Sequence, residues 1–73
     1  MNKYIVNEIQ NNSIIPIIFD EAEHSDAEDL AYSRYFTIMA AAAISDVPYH
    51  GANIIKLDGV NQSLIEGRIY DRR

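Results

Sequence analysis

Apolar and polar residues alternate along the first ten positions of the chain and then break at Asn11-Asn12. From Lys3 to Gln10, Ile5, Asn7 and Ile9 fall on one side of an extended chain and Tyr4, Val6 and Glu8 on the other, the period-two pattern of a strand. Asn tolerates positive φ better than other non-glycine residues, so Asn11-Asn12 suits the primed turn of a tight hairpin. A second strand is predicted over Ser13 to Phe19. Its run Ile14-Ile15-Pro16-Ile17-Ile18-Phe19 is apolar on both sides, which implies cover on both faces or an apolar surface shared with another subunit. Pro16 offers no N–H to a ladder, which places this strand at a sheet edge or turns its nitrogen outward.

The period then changes to that of a helix. Ser25-Asp26-Ala27-Glu28 fits a capping box, with the serine oxygen accepting from the third helical amide and Glu28 reaching back to the Ser25 amide. The helix is expected from about Asp26 to Ser45, stopping before Pro48. At about 100° per residue, Ala27, Leu30, Ala31, Tyr35, Ile38, Ala41 and Ala42 form a core stripe. Phe36, Ala40, Ala43 and Ile44 lie on the other side, and their small and apolar surface predicts a contact between subunits. Beyond a loop of Val47-Pro48-Tyr49-His50-Gly51, Ala52 to Leu57 reads as a third strand and Leu64 to Tyr70 as a fourth. Strict alternation puts Leu64, Glu66, Arg68 and Tyr70 on one face of the last strand and Ile65, Gly67 and Ile69 on the other. The fold class is α+β: a two-layer ββαββ domain over residues 1–73, in which two hairpins form an antiparallel sheet packed on one helix.

Composition adds limits. A chain of 73 residues buries only about 60% of the surface its unfolded form exposes, and without cysteine it has no disulfide to compensate. Self-association as a homodimer or higher oligomer is the expected source of further burial. The longest apolar run, Ile38 to Ile44, is far shorter than the roughly 20 residues of a membrane span. The first eight residues lack the basic and long apolar regions of a secretory signal, so a cytoplasmic location and no membrane partner are expected. Eleven acids against six Lys and Arg give a net charge of -5, which opposes direct nucleic-acid binding across a broad surface.

Candidate chemistry is sparse. His24, His50 and the acids of the Asp20 to Asp29 run match no zinc or EF-hand spacing, and no metal or cofactor is expected. Ser45, Asp46 and His50 supply triad residue types, but Ser45 sits at a helix end, where serine commonly bonds local backbone. The glycines at 51, 59 and 67 form no phosphate loop. A non-enzymatic binding site is easier to build. Tyr49 offers a stacking ring, His50 a donor and Gly51 a close backbone approach, while Arg34 and Arg68 supply positive charge for phosphates.

The stretch from Arg34 to Ala52, RYFTIMAAAAISDVPYHGA, resembles the middle of small phage and prophage proteins of gut bacteria. The matching pattern is Tyr-x-x-Ile-x-Ala-Ala-Ala-Ala-Ile-Ser-x-Val-Pro-x-His, with Phe36 where those proteins have histidine. The resemblance implies a phage setting, in which small acidic proteins antagonise host defence. The expected function is therefore a counter-defence protein that oligomerises and sequesters a cyclic or linear nucleotide signal. The alternatives are an acidic DNA mimic, which would use Asp20 to Asp29 against a host nuclease such as a CRISPR effector, and a structural homo-oligomer with no ligand.

Overall fold

The computed structural model describes residues Met1–Arg73 and contains five elements: β1 (Asn2–Gln10), β2 (Ser13–Asp20), α1 (Ala27–Ile44), β3 (Tyr49–Asp58) and β4 (Asn61–Asp71). The strands form one antiparallel sheet in the order β2-β1-β3-β4, and α1 packs on one face, chiefly over the two central strands. This is the expected ββαββ arrangement. Both hairpins close with two residues whose first has positive φ, Asn11 at 51° and Gly59 at 62°. Asparagine and glycine are the residues that tolerate that geometry.

Both outer strands are marked as edges. β2 carries Pro16 and β4 carries an irregularity opposite Ile54 and Ile55, two devices that discourage further strand pairing. The β4 irregularity also corrects the sequence reading. Ile55 pairs with Leu64 and Ile54 with Glu66, which leaves Ile65 as the extra residue of a bulge. The bulge interrupts the alternation, so Leu64 joins Gly67 and Ile69 on the face away from the helix, while Ile65 packs against the core.

The core lies between helix and sheet: Tyr4 and Val6 from β1, Ala52 and Ile54 from β3, and Ala27, Ala31, Tyr35 and Ile38 from α1. Alanines at 27, 31 and 42 let the helix backbone approach the sheet closely, and the two tyrosines fill the remaining space. Leu30 is half-buried and Ala41 exposed, so the stripe is narrower than the sequence predicts.

Two helix-terminal features depart from expectation. The capping box does not form: Asp26 is the N-cap with no side-chain cap bond, and the Glu28 carboxylate instead accepts a 2.8 Å hydrogen bond from the buried Tyr4 hydroxyl. A phenol buried beneath the helix needs an acceptor more than an exposed helix end needs a cap. At the other end α1 has no basic residue in its last turn. Arg72 fills that role from β4's side, its Nη2 donating to the carbonyls of Ala42 (2.9 Å) and Ala43 (3.1 Å), where the helix dipole favours a cation. The Arg72 amide also donates to Pro48 O at 2.6 Å.

Gly51 is required for this packing, because a Cβ there would strike the Arg68 carbonyl oxygen and lie 2.7 Å from Ile69 Cα. At Gly67 the nearest contact would be Asn53 Cβ at 3.1 Å. Gly51→Ala is therefore expected to destabilise the protein by about 3 kcal/mol or more, and Gly67→Ala by clearly less. Urea unfolding of both variants checks the ranking.

Candidate functional site

The buried polar group of the molecule is at the helix C-terminal end of the covered face. His50 is opposite Gln10 in the β1–β3 ladder, and only 4% of its surface is exposed. Its Nε2 lies 3.0 Å from Glu8 Oε2, the oxygen that also accepts from Gln10 Nε2 at 3.0 Å. A carboxylate can only accept, so Nε2 is assigned the proton and donates. Nδ1 is buried without a partner. The hydrogen bonds from His50 and then Gln10 hold the Glu8 carboxyl below its ordinary range, against the opposing effect of burial, with the Arg34 charge adding to the lowering.

A second cluster occupies the end of β4. Arg68 and Arg72 place their guanidinium carbons 4.8 and 5.0 Å from the Tyr70 ring centre, within cation–π range. On the opposite face Arg73 lies 4.5 Å from the Tyr49 ring and holds Asp71 at 3.1 Å. Arg72 is committed to the helix carbonyls. Arg68 is exposed, and no carboxylate lies within ion-pair distance of it.

The five residues singled out as ligand contacts do not converge in one chain. Tyr49 and His50 belong to β3, not to a loop, and as successive strand residues they point to opposite faces. His50 is enclosed with Glu8, and Gly51 is buried where β3 and β4 approach. Arg34 is carried by α1, whereas Arg68 is carried by β4, opposite Ala52 and with its guanidinium over the Tyr70 ring. Tyr49 and Arg68 remain accessible, on opposite faces of the sheet.

The other chemical readings can also be placed. Ser45 Oγ accepts from the Val47 amide at 3.0 Å, and His50 is bound to Glu8, so the two do not meet as nucleophile and base. No three His, Asp or Glu side chains converge as metal ligands. No helix is long and apolar enough to cross a membrane. Within the acidic run, Asp20 caps Ala22, Glu21 accepts from the Asn2 amide and Glu28 binds Tyr4. Glu23, Asp26 and Asp29 are exposed without side-chain partners. Phe36, Ala40, Ala43 and Ile44 are exposed on the outer helix surface, with Phe36 against the rings of Tyr32 and Tyr35.

The largest feature that the sequence reading did not assemble is the face of the sheet away from the helix. Register aligns its residues in rows across all four strands: Ile14-Ile9-Gly51-Ile69, then Pro16-Asn7-Asn53-Gly67, then Ile18-Ile5-Ile55-Leu64. Asn7 Nδ2 donates to Asn53 Oδ1 at 2.8 Å in the middle row. Where the glycines lack side chains the surface dips into a shallow groove of about 250 Å³, bordered by Ile9, Asn53, Leu64 and Ile69. The visible sequence signals were the Ile5-Asn7-Ile9 side of β1 and the two-sided apolar β2. The Leu64 contribution depends on the bulge and left no such signal.

No protein-family model matches the chain, and no curated protein or solved structure matches it. The Glu8–His50 pair gives a direct test of the buried cluster. Because the folded carboxyl titrates below its unfolded value, its stabilisation is present above about pH 4.5 and is lost as pH falls through the lowered folded value. Glu8→Gln should flatten this acid limb of stability. His50→Ala should cost about 1–3 kcal/mol at neutral pH, measured by urea unfolding across pH 3 to 7.

Proposed function

We propose that this protein acts by binding and not by catalysis, and that its ligand is a small anionic aromatic molecule of the nucleotide class, which it sequesters. The observation that carries this reading is the covered-face end of β4, where Arg68 and Arg72 stand against the Tyr70 ring in a chain of net charge -5, with Arg73 and Tyr49 together on the opposite face. Guanidinium groups bind phosphates through paired donors, and both arginine and tyrosine stack on bases. Arg68 is the residue free to take the phosphate, with Tyr70 beside it. In this reading His50, enclosed with Glu8 and the cross-strand neighbour of Tyr70, supports the site without touching the ligand, a change from the contact role expected of it. The phage-protein resemblance of residues 34–52 supplies a setting for sequestration, the removal of a host signal.

A second reading has its own observation. Glu23, Asp26 and Asp29 project unpaired near the start of α1, a negative surface that a protein partner accustomed to nucleic acid would recognise. Only half of the six acids in this run are free for such a role, which favours the first reading.

Native mass spectrometry with ATP, cyclic mononucleotides and cyclic dinucleotides tests the ligand reading. A discrete nucleotide mass is expected on the wild type, weakened at least about tenfold by Arg68→Ala and unchanged by Glu23→Lys with Asp26→Lys. If no nucleotide adds mass, or if Arg68→Ala binds as the wild type does, the reading fails.

A further inference from the structure

We propose that the open face of the sheet is the docking surface for a second copy of this chain, giving a two-fold, face-to-face homodimer in which two sheets form a sandwich between outer helices. This inference is independent of the ligand reading, and it moves self-association from the helix surface formed by Phe36, Ala40, Ala43 and Ile44 to the opposite side of the molecule.

The face is apolar in a way that surface residues of a monomer rarely are. Its two outer rows contain Ile14, Ile9, Ile69, Ile18, Ile5, Ile55 and Leu64. Exposure reaches 64% at Ile14, 60% at Ile18 and 69% at Leu64. One helix leaves this whole face bare, while the core beneath the helix has only eight buried residues. Three rows of four strands, with rows spaced about 7 Å and strands about 4.8 Å, cover with their side chains about 400–500 Å² per copy. Two copies together therefore bury about 800–1,000 Å², the size of a small, reversible interface.

Charge favours a like partner. The face has no unbalanced charge across its three rows, and the charged groups at its ends are paired within the chain. Lys3 Nζ lies 3.9 Å from Asp20 Oδ2 at one end, and Asp71 binds Arg73 at the other. A partner selected by charge finds nothing to read here. Two chains of net charge -5 meet with least repulsion through this neutral surface, which keeps the Asp20 to Asp29 run out of the contact.

The relief fits a two-fold axis. Along the strand direction the face reads aliphatic ridge, polar trough, aliphatic ridge, so it has the same profile from either end. An axis lying along the trough brings the Ile14-to-Ile69 row of one copy over the Ile18-to-Leu64 row of the other. It also brings the Asn7–Asn53 pairs of the two copies together. Each pair uses one amide hydrogen and one carbonyl internally, which leaves the remaining donors and acceptors to bond across the axis. A polar pair at the centre of an apolar contact fixes register, since any shifted alignment leaves those amides buried and unbonded.

Sedimentation equilibrium should give twice the chain mass for the wild type. Ile18→Lys and Leu64→Lys alter exposed side chains and are expected to leave circular dichroism unchanged while raising the dimer dissociation constant at least about tenfold. Phe36→Lys, on the helix, should leave the dimer intact. A second measurement uses the absence of cysteine: Pro16→Cys, exposed in the trough at the β2 edge and so close to the axis, should be linked to its copy by a short bismaleimide, whereas Glu23→Cys should not. A monomeric wild type overturns the proposal. So does a dimer that survives both lysine substitutions, one lost only with Phe36→Lys, or a Pro16→Cys protein that the reagent fails to link.

Discussion

A sheet of four strands is about 15–20 Å across, and an α-helix with its side chains is about 10–12 Å in diameter, so one helix can seal only the middle of one face. The consequences run through the whole molecule. α1 lies chiefly over β1 and β3, and the fully enclosed side chains belong to those strands and to the helix stripe above them. The covered parts of β2 and β4 end in residues that are only partly enclosed, such as Phe19 and Ile65. On the other face nothing in the chain covers the aliphatic rows.

The narrow seal explains the choice of residues beneath it. Small side chains at 27, 31, 42 and 52 bring helix and sheet together, and Tyr4 and Tyr35 then reach out from under the helix. Each tyrosine has an apolar body and a polar tip. Tyr4 satisfies its tip on Glu28, and burial together with that carboxylate raises its pKa. Near the other end of α1 the same problem is solved with a polar group, in which Glu8 accepts from both His50 and Gln10. Arg72 completes that end by bonding the last helix carbonyls. The chain thus satisfies the C-terminal end of the helix, the Tyr4 hydroxyl and the Glu8 carboxylate with contacts distant in sequence, which ties α1 to β1 and the end of β4 and β1 to β3.

The same distance in sequence separates what could be read in the chain from what could not. Alternation in β1, the Asn11 turn, the edge proline at 16 and the break at Pro48 are local signals, and the ββαββ order followed from them. Tyr49-His50-Gly51 reads as a loop because proline precedes it and glycine ends it. Its pairing partners, Gln10, Ile9 and residues 69–71, are about 20 to 40 positions away. The candidate site placed on that loop is divided between the two faces of the sheet within one chain, since a strand separates neighbours that a loop can gather. The capping box failed for a related reason: Glu28 is shared between a local amide and the Tyr4 hydroxyl 24 residues earlier, and only the tertiary fold decides between them. Phe36, Ala40, Ala43 and Ile44 are exposed on the outer helix surface, but amphipathic analysis of a helix sees only that surface and not the second uncovered one, which exists only once the strands are aligned.

The open face was half legible. Ile5 and Ile9 share a side of β1, and β2 is apolar throughout, but a row exists only when register aligns four strands. On β4 the bulge decides which of Leu64 and Ile65 is presented. With strict alternation Leu64 would point toward the helix and Ile65 would stand beside Ile55 in the third row. The extra residue instead sends Ile65 to the core and Leu64 outward beside Ile55. A bulge usually weakens an edge against pairing, and here it does a second thing: it turns Ile65 into the core while Leu64 keeps the row aliphatic on the face that the helix leaves bare. One inserted residue thus disrupts the β4 edge and lets two consecutive aliphatic side chains serve opposite faces, which ties the closed edge of this sheet to the packing of its core.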